Sequence, residues 1–150
     1  MGIYDTKDLK TSDDGELDMD SGDLVLADSH QSARQLMINY VNSNPGDFVG
    51  MPLFGWSVYS FVGRRNDELT RSQMEDSINN GLIYLTDMIP DDIDFIVAPL
   101  DAETIGIVGH HAGIFLDDDG REITTSTVLG WNYPIKTGRI MREDDDTDEE

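Results

Sequence analysis

The sequence predicts an α+β domain in which two α-helices pack on a small antiparallel sheet, and three observations lead to this prediction. Two stretches repeat apolar residues every three or four positions, as one face of a helix does. Short stretches rich in Ile, Val, Phe and Thr fill most of the chain after Pro90. The 150 residues, 38% of them hydrophobic, suffice for one modest core. We therefore expect a single domain over residues 1–142.

The N-terminal part predicts a β-hairpin followed by the first helix. Glu16–Asp20 and Asp23–Ala27 are short strand candidates on either side of a Ser-Gly turn. Ser29 is then expected to cap a helix that spans about His30 to Asn42. The apolar face of this helix is formed by Ala33, Leu36, Met37, Tyr40 and Val41.

An ordered connector and a second helix come next. Residues 44–56 read Asn-Pro-Gly-Asp-Phe-Val-Gly-Met-Pro-Leu-Phe-Gly-Trp, in which prolines and glycines hold the backbone between large apolar side chains. The apolar run Trp56–Val62 fits a strand or a short helix equally well. Thr70 or Ser72 is expected to cap the second helix, and Pro90 to end it. Its apolar positions are Met74, Ile78, Leu82, Leu85 and Ile89.

The C-terminal half predicts strands and then a disordered tail. Ile93–Leu100 and Thr104–Val108 flank the acidic turn Asp-Ala-Glu and are expected to pair as a hairpin. Ala112–Leu116 and Glu122–Leu129 flank the turn Asp-Asp-Asp-Gly and should extend the sheet. Residues 143–150 are acidic and carry no apolar side chain, so we predict that they are disordered.

The charge of the chain restricts its partners. Asp and Glu total 31 against 10 Lys and Arg, which gives a net charge of -21. Nucleic acid and anionic membranes would be repelled, and no stretch approaches the roughly 20 apolar residues of a membrane span. The 23 Asp residues and the scarcity of Lys predict a high-salt interior, as in a halophilic host. The alternative is an ordinary acidic protein whose tail and loops raise the count.

The order of the motifs resembles a known family. Helix, Pro-Gly-Asp, Pro-x-Phe-Gly, helix and strands is similar to the small wedge subunit of tailed-phage and contractile-injection baseplates, the W-like or "lysozyme-like" family. The similarity covers roughly residues 22–108. Many members have Glu-Pro-Arg where the second helix meets the strand, whereas Ile89-Pro90-Asp91 of this chain keeps only the proline. The residues that carry the resemblance are Pro45, Gly46, Asp47, Pro52, Phe54 and Gly55.

The resemblance implies a structural role without catalysis or cofactors. Such a subunit links the baseplate core to the first sheath ring, and its partners would be other wedge subunits, tail tube or hub proteins and the sheath protein. No nucleic acid and no small-molecule substrate is expected. The protein would be assembled in the host cytoplasm and would reside in the baseplate of a virus tail or injection particle.

Two segments are candidate partner-binding sites. The first is a strand at a sheet edge, since such an edge can pair with another chain; we expect it at Ile93, Phe95, Ile96 and Val97. The alternative is an internal strand with both edges covered. The second is the connector, whose residues Phe54 and Trp56 could anchor a partner. The alternative is that Pro45, Gly46, Asp47, Pro52, Phe54, Gly55 and Trp56 only fold the chain back between the helices.

Other functions are weaker readings of the same sequence. An adaptor or tail-completion protein of a non-contractile tail is the runner-up. A carboxylate-dependent glycan hydrolase is a distant third, because 31 acidic residues bring pairs together by abundance alone. His110-His111 is expected to be a pair in a turn, with no third metal ligand at a known spacing. The turn at residues 117–120 resembles part of a calcium loop but lacks its full spacing.

Overall fold

A computed structural model describes residues 1–5, 7–12, 16–85 and 92–143. It shows a mixed α+β fold with two helices, α1 (Ser29–Val41) and α2 (Glu68–Asn80), which confirms the predicted class. Short 3-10 helices span Val58–Phe61 and Gly81–Tyr84. The apolar run Trp56–Val62, which fitted a strand or a short helix, therefore contains a short helix. The strands are β1 (Ile3–Tyr4), β2 (Asp8–Leu9), β3 (Met19–Asp20), β4 (Asp23–Leu24), β5 (Leu26–Ala27), β6 (Ile93–Pro99), β7 (Thr104–Leu116), β8 (Glu122–Pro134) and β9 (Met141–Arg142).

The main sheet is built around the long antiparallel pair β7 and β8. One side of β7 pairs with β6 over residues 105–111 and with β1 over residues 114–115. Among the described strands, the outer side of β8 pairs with the two-residue β9. We expected an antiparallel sheet, but β1 runs parallel to β7. A parallel neighbour requires a long crossover, and the hundred or so residues between β1 and β7 provide one.

The two strand candidates after the acidic turn are one continuous strand. The residues between them, Gly109, His110 and His111, lie inside β7 and pair with β6 and β8, so the expected histidine turn is wrong. Glycines here serve packing rather than a turn. At Gly113, an added Cβ would lie 2.6 Å from the ring of Tyr4, so only a glycine leaves room for that ring.

The predicted N-terminal hairpin is present but short. Ser21 and Gly22 both have positive φ, 52° and 84°, as the two-residue turn of a hairpin requires. Only β3 and β4 pair across it, while β5 pairs with β2 instead.

Both helices begin at an aspartate rather than at the serine or threonine that we expected. The Asp28 carboxylate accepts the Gln31 N–H at 2.7 Å, and the Gln31 side chain accepts the Asp28 N–H in return. The Asp67 carboxylate likewise accepts the Thr70 N–H at 2.8 Å. A carboxylate is the stronger acceptor, because it also complements the positive end of the helix dipole. The expectation that Pro90 ends α2 is wrong, because α2 ends at Asn80, a 3-10 turn follows and Leu85 is already extended. Residues 86–91 lie outside the described part of the chain.

The core occupies one face of the sheet. Odd-numbered residues of β6, β7 and β8 point to the helices, and the even-numbered ones point to solvent, where Ile96 and Val128 are more than half exposed. No helix in the described part of the chain is long and apolar enough to cross a membrane. The main core side chains are Met37, Tyr40, Met74, Ile78, Phe95, Ile105, Ile107, Trp131 and Tyr133.

Part of the predicted tail is visible at its start. The Glu143 N–H donates to the Gly130 carbonyl at 2.9 Å, so this residue continues the pairing of β9 and does not belong to a disordered tail. Residues 144–150 lie outside the described part of the chain.

Candidate functional site

The second half of the connector is bound to the end of α1. The Trp56 indole N–H donates to the Val41 carbonyl at 2.7 Å, and the Trp56 backbone N–H donates to Ser43. Phe54 packs edge-on against Tyr40. Trp56 and Phe54 are only 2% and 3% exposed. Neither ring offers a surface to a partner, which favours the alternative that these residues fold the chain back.

Gly55 is required for this return of the chain. Its φ is +119°, and a Cβ at this position would lie 2.5 Å from the Ser43 carbonyl oxygen. The backbone therefore passes so close to the end of α1 that only glycine fits.

The first half of the connector forms tight turns at the surface. Pro45, Gly46 and Asp47 are exposed, and the Asp47 carboxylate accepts the Asn44 N–H at 2.8 Å. Pro52 is also exposed. Backbone bonds from residue 51 to residue 48 and from residue 54 to residue 51 then order the loop. The predicted residues of the connector thus divide into an inner half and an outer half.

The outer half carries exposed apolar side chains that our site prediction omitted. We call Phe48–Leu53 the apolar tip. Val49 is fully exposed, and the other large side chains of the tip, Phe48, Met51 and Leu53, are about half exposed. A groove of about 170 Å³ lies beside the tip and is lined by Phe48 and Met51 of the tip and Leu36 of α1. The sequence does carry a signal for this surface, because residues 48–63 contain no Asp, Glu, Lys or Arg.

The strand predicted to pair with a partner is covered on its free side. We call the side of β6 that faces away from β7 the β6 edge. The Phe95 N–H donates to Asn79 Oδ1, and Asn79 Nδ2 donates to the Phe95 carbonyl, both at 3.0 Å. The Val97 N–H donates to a Glu75 carboxylate oxygen at 3.0 Å. Side chains of α2 thus take the place of a neighbouring strand, which favours the alternative of an internal strand.

The side chains of β6 support the same interpretation. Ile93 and Phe95 are buried, and Val97 packs partly against the core. Ile96 alone of the four predicted contact residues points to solvent. Of the predicted contact residues on this strand, Ile96 is therefore the one that a partner on the open face of the sheet could reach.

A different strand has an open side. We call the side of β8 that faces away from β7, over Glu122–Leu129, the β8 edge. The Gly130 carbonyl accepts the Glu143 N–H, so even-numbered residues of β8 direct their backbone groups to this side. Within the described residues, no strand pairs with β8 before Trp131. The N–H and C=O groups of Thr124, Ser126 and Val128 therefore face outward beside exposed side chains.

The three carboxylates that line a cavity at the start of α1 have structural partners. This cavity of about 310 Å³ is lined by Asp28, Asp117 and Asp118. Asp28 caps the helix, Asp117 accepts backbone N–H groups within its own turn, and Asp118 pairs with Lys7 at 3.0 Å. No group of three or more His, Cys, Asp or Glu among the residues described is placed to hold a metal ion.

The resolved carboxyl pKa shifts run downward. A backbone hydrogen bond from Thr70 lowers the pKa of Asp67, and one from Glu103 lowers the pKa of Asp101. Burial acts to raise the pKa of Asp92, but hydrogen bonds from Gly2 and Tyr4 outweigh it and lower that pKa. A general acid needs a shift in the opposite direction.

Comparison of the chain with protein-family models, with curated proteins and with solved structures finds no match.

Proposed function

We propose that the chain is a non-enzymatic subunit of the baseplate of a virus tail or contractile injection particle, where it links the baseplate core to the first sheath ring. The order of the motifs between the two helices supports the family, and the β8 edge supports the mode of contact. The β8 edge carries the proposal, because no strand of the described residues pairs with it and its row of backbone groups is one that another chain can complete.

The β8 edge suits an extended segment of the sheath protein. Thr124, Ser126 and Val128 each present one N–H and one C=O to this side, so an added strand would gain hydrogen bonds along its whole length. Alternate side chains of the partner would then lie over the exposed face of the sheet, beside Val128. The predicted strand addition thus moves from β6 to β8.

The apolar tip is the second proposed contact, toward wedge, tube or hub proteins. Val49 and Leu53 are exposed on a loop whose backbone is already ordered, so docking costs little conformational entropy. High salt screens the repulsion between acidic surfaces, while it does not weaken apolar contacts. An apolar tip is therefore a suitable anchor for a chain of charge -21 in a high-salt interior.

The first test is to find the chain in purified particles. Mass spectrometry and electron microscopy should place a few copies at the tail tip, beside a contractile sheath. The same position in particles without a sheath would instead support the tail-completion adaptor, and the altered Ile89-Pro90-Asp91 motif is the feature of the sequence that favours it. Absence of the chain from particles would refute both, and a muralytic assay of the pure protein would then test the hydrolase.

The second test targets the β8 edge. Ser126→Pro removes an outward N–H without breaking the β7–β8 ladder, so the protein should fold while sheathed particles are lost. Ser126→Ala keeps the N–H and is the matched control. Normal numbers of sheathed particles with Ser126→Pro would refute strand addition at this edge. Proline at Ile96 is a poor test, because the Ile96 N–H faces β7 and its loss would disrupt the sheet itself.

A further inference from the structure

A buried histidine of β7 packs against a ring of the two-residue strand β1. His111 is 0% exposed, and neither Nδ1 nor Nε2 has a hydrogen-bond partner in the described part of the chain. The ring of Tyr4 meets it edge-on with centroids 4.9 Å apart, and Phe115 does so at 5.8 Å. A neutral imidazole can be held in such an aromatic site, whereas an imidazolium would carry two charged N–H donors without acceptors.

The strands that pair with β7 around His111 differ greatly in the number of residue pairs that hold them. The β8 strand pairs with β7 through thirteen residue pairs and β6 through seven, but β1 pairs through only two. Besides those pairs, the segment of β1 is attached through Asp92, which accepts the Gly2 N–H at 2.7 Å and the Tyr4 hydroxyl at 2.8 Å. Among the strands that pair with β7 beside His111, β1 is therefore held by the fewest backbone pairs.

We propose that β1 is an acid-released clasp: protonation of His111 detaches β1 from β7 while the rest of the sheet stays paired. The imidazolium gains access to water where the Tyr4 ring leaves, over Gly113. The Ile114 N–H, which donates to the Gly2 carbonyl at 3.0 Å, then loses its partner. Acid thus uncovers a short piece of the β7 edge that neutral pH keeps closed.

The charged and titratable groups around His111 set the range of the switch. Burial is the largest influence and lowers the pKa of His111. Asp92 opposes this shift, whereas His110 and His30 reinforce it. Thr127, opposite His111 on β8, already contacts His30 Nε2. Because the pKa of Asp92 is itself below its usual value, Asp92 stays ionised through the range in which imidazoles titrate, and the clasp responds to histidine.

Amide hydrogen exchange measured by NMR at constant high salt tests the proposal. The ratio of the exchange rates of the Ile114 and Leu129 amides, each corrected for its intrinsic rate, removes global opening, since Leu129 faces β7 inside the β8 ladder. We expect this ratio to rise by about tenfold or more between about pH 8 and about pH 5. His111→Phe should keep the ratio constant at its value near pH 8.

The neighbouring histidines supply matched controls. His110 lies on the opposite, exposed face of β7, and His110→Gln should retain the full response. His30→Gln should retain it as well. A ratio that does not change with pH, a response that survives in His111→Phe, or one that disappears in His110→Gln would overturn the proposal.

A second variant keeps the test decisive where His111→Phe does not fold. Tyr4→Ala removes the ring that covers His111 and one bond to Asp92. It should raise the ratio near pH 8 to the value that the unmodified chain reaches near pH 5. Continued protection of the Ile114 amide in Tyr4→Ala would show that β1 is not the clasp.

Discussion

The β6 edge and the β8 edge are alike in sequence and opposite in accessibility. Both strands are rich in β-branched residues, and they pair with β7 from its two sides. On β6, Asn79 and Glu75 from α2 occupy the outward backbone groups, whereas the outward groups of β8 before Trp131 meet no strand in the described part of the chain. Whether a strand can pair with a partner therefore depends on the element that packs beside it, and the composition of the strand does not decide it.

The two edges also differ in what a partner would have to displace. Asn79 uses both protons of its amide, one toward the Phe95 carbonyl and one toward the Glu75 carbonyl. Its oxygen accepts the Phe95 N–H. A strand that approached β6 would have to break these bonds and move α2. A strand that approached β8 before Trp131 would meet no strand from the described residues.

The largest loss of stability is expected at a buried residue of β6. Phe95→Ala should lower the free energy of unfolding by about 3–5 kcal/mol, because the ring is buried against Tyr40 and Trp131. Ile96→Ala, on the exposed face of the same strand, should cost less than about 1 kcal/mol. Denaturant titration of both variants at high salt checks this, and equal losses would contradict an internal β6.

The next prediction removes the cover of the β6 edge. Asn79→Ala should lower the free energy of unfolding by about 1–3 kcal/mol, because it leaves the Phe95 N–H and C=O unpaired. It should also speed hydrogen exchange of the Phe95 amide, which NMR can follow. Asn80→Ala, at the next and exposed position of α2, is the control and should change neither. If the two variants behaved alike, the bonds from Asn79 would not be what covers this edge.

The third strand that pairs with β7, β1, is tested by the pH dependence of the free energy of unfolding. Burial lowers the pKa of His111, so the folded chain binds fewer protons than the unfolded chain near the ordinary histidine pKa. Stability is therefore complete above about pH 6.5 and falls as pH drops below it, by at most about 1.4 kcal/mol per pH unit for one proton.

Denaturant titrations at several pH values would measure this loss of stability. In His111→Phe the part that is due to this proton should disappear. A stability that rises on acidification through this range, in the unmodified chain but not in His111→Phe, would contradict the assigned sign.

The smallest loss of stability is expected at the β8 edge. Ser126→Pro should lower the free energy of unfolding by less than about 1 kcal/mol, because the lost N–H faces outward. Thr125→Pro, whose N–H faces β7, should cost about 3 kcal/mol or more. Thermal unfolding of the pair measures the difference. Equal destabilisation would mean that the β8 edge is not open.

The fold was largely predictable because its signals are local. The periodicity that ends in Val41 identified α1 to within a residue at either end. The Ser21-Gly22 turn located the hairpin of β3 and β4. The helix caps were missed, since an aspartate stood one residue before Ser29 and another shortly before Thr70. A carboxylate at such a place competes with a hydroxyl for the same backbone N–H groups, and periodicity does not rank the two.

The candidate sites were harder to predict, because exposure depends on distant residues. Trp56 and Val49 are both large apolar residues of one connector, yet Trp56 is buried and Val49 is fully exposed. Gly55 and the end of α1 decide this, by drawing the second half of the connector inward. The run of residues without charge was the available signal for the apolar tip, and it marked the segment without telling its inner half from its outer half.

The sequence by itself determined the α+β class, the first helix, the ordered connector and the acidic surface, since periodicity, turn residues and charge act over a few neighbouring residues. Only the tertiary structure decided that Asn79 covers the β6 edge, that no described strand pairs with the β8 edge and that the Tyr4 ring packs on His111. These pairings join residues that are far apart along the chain, and each exists because the folded backbone brings a donor to an acceptor or a ring to a glycine.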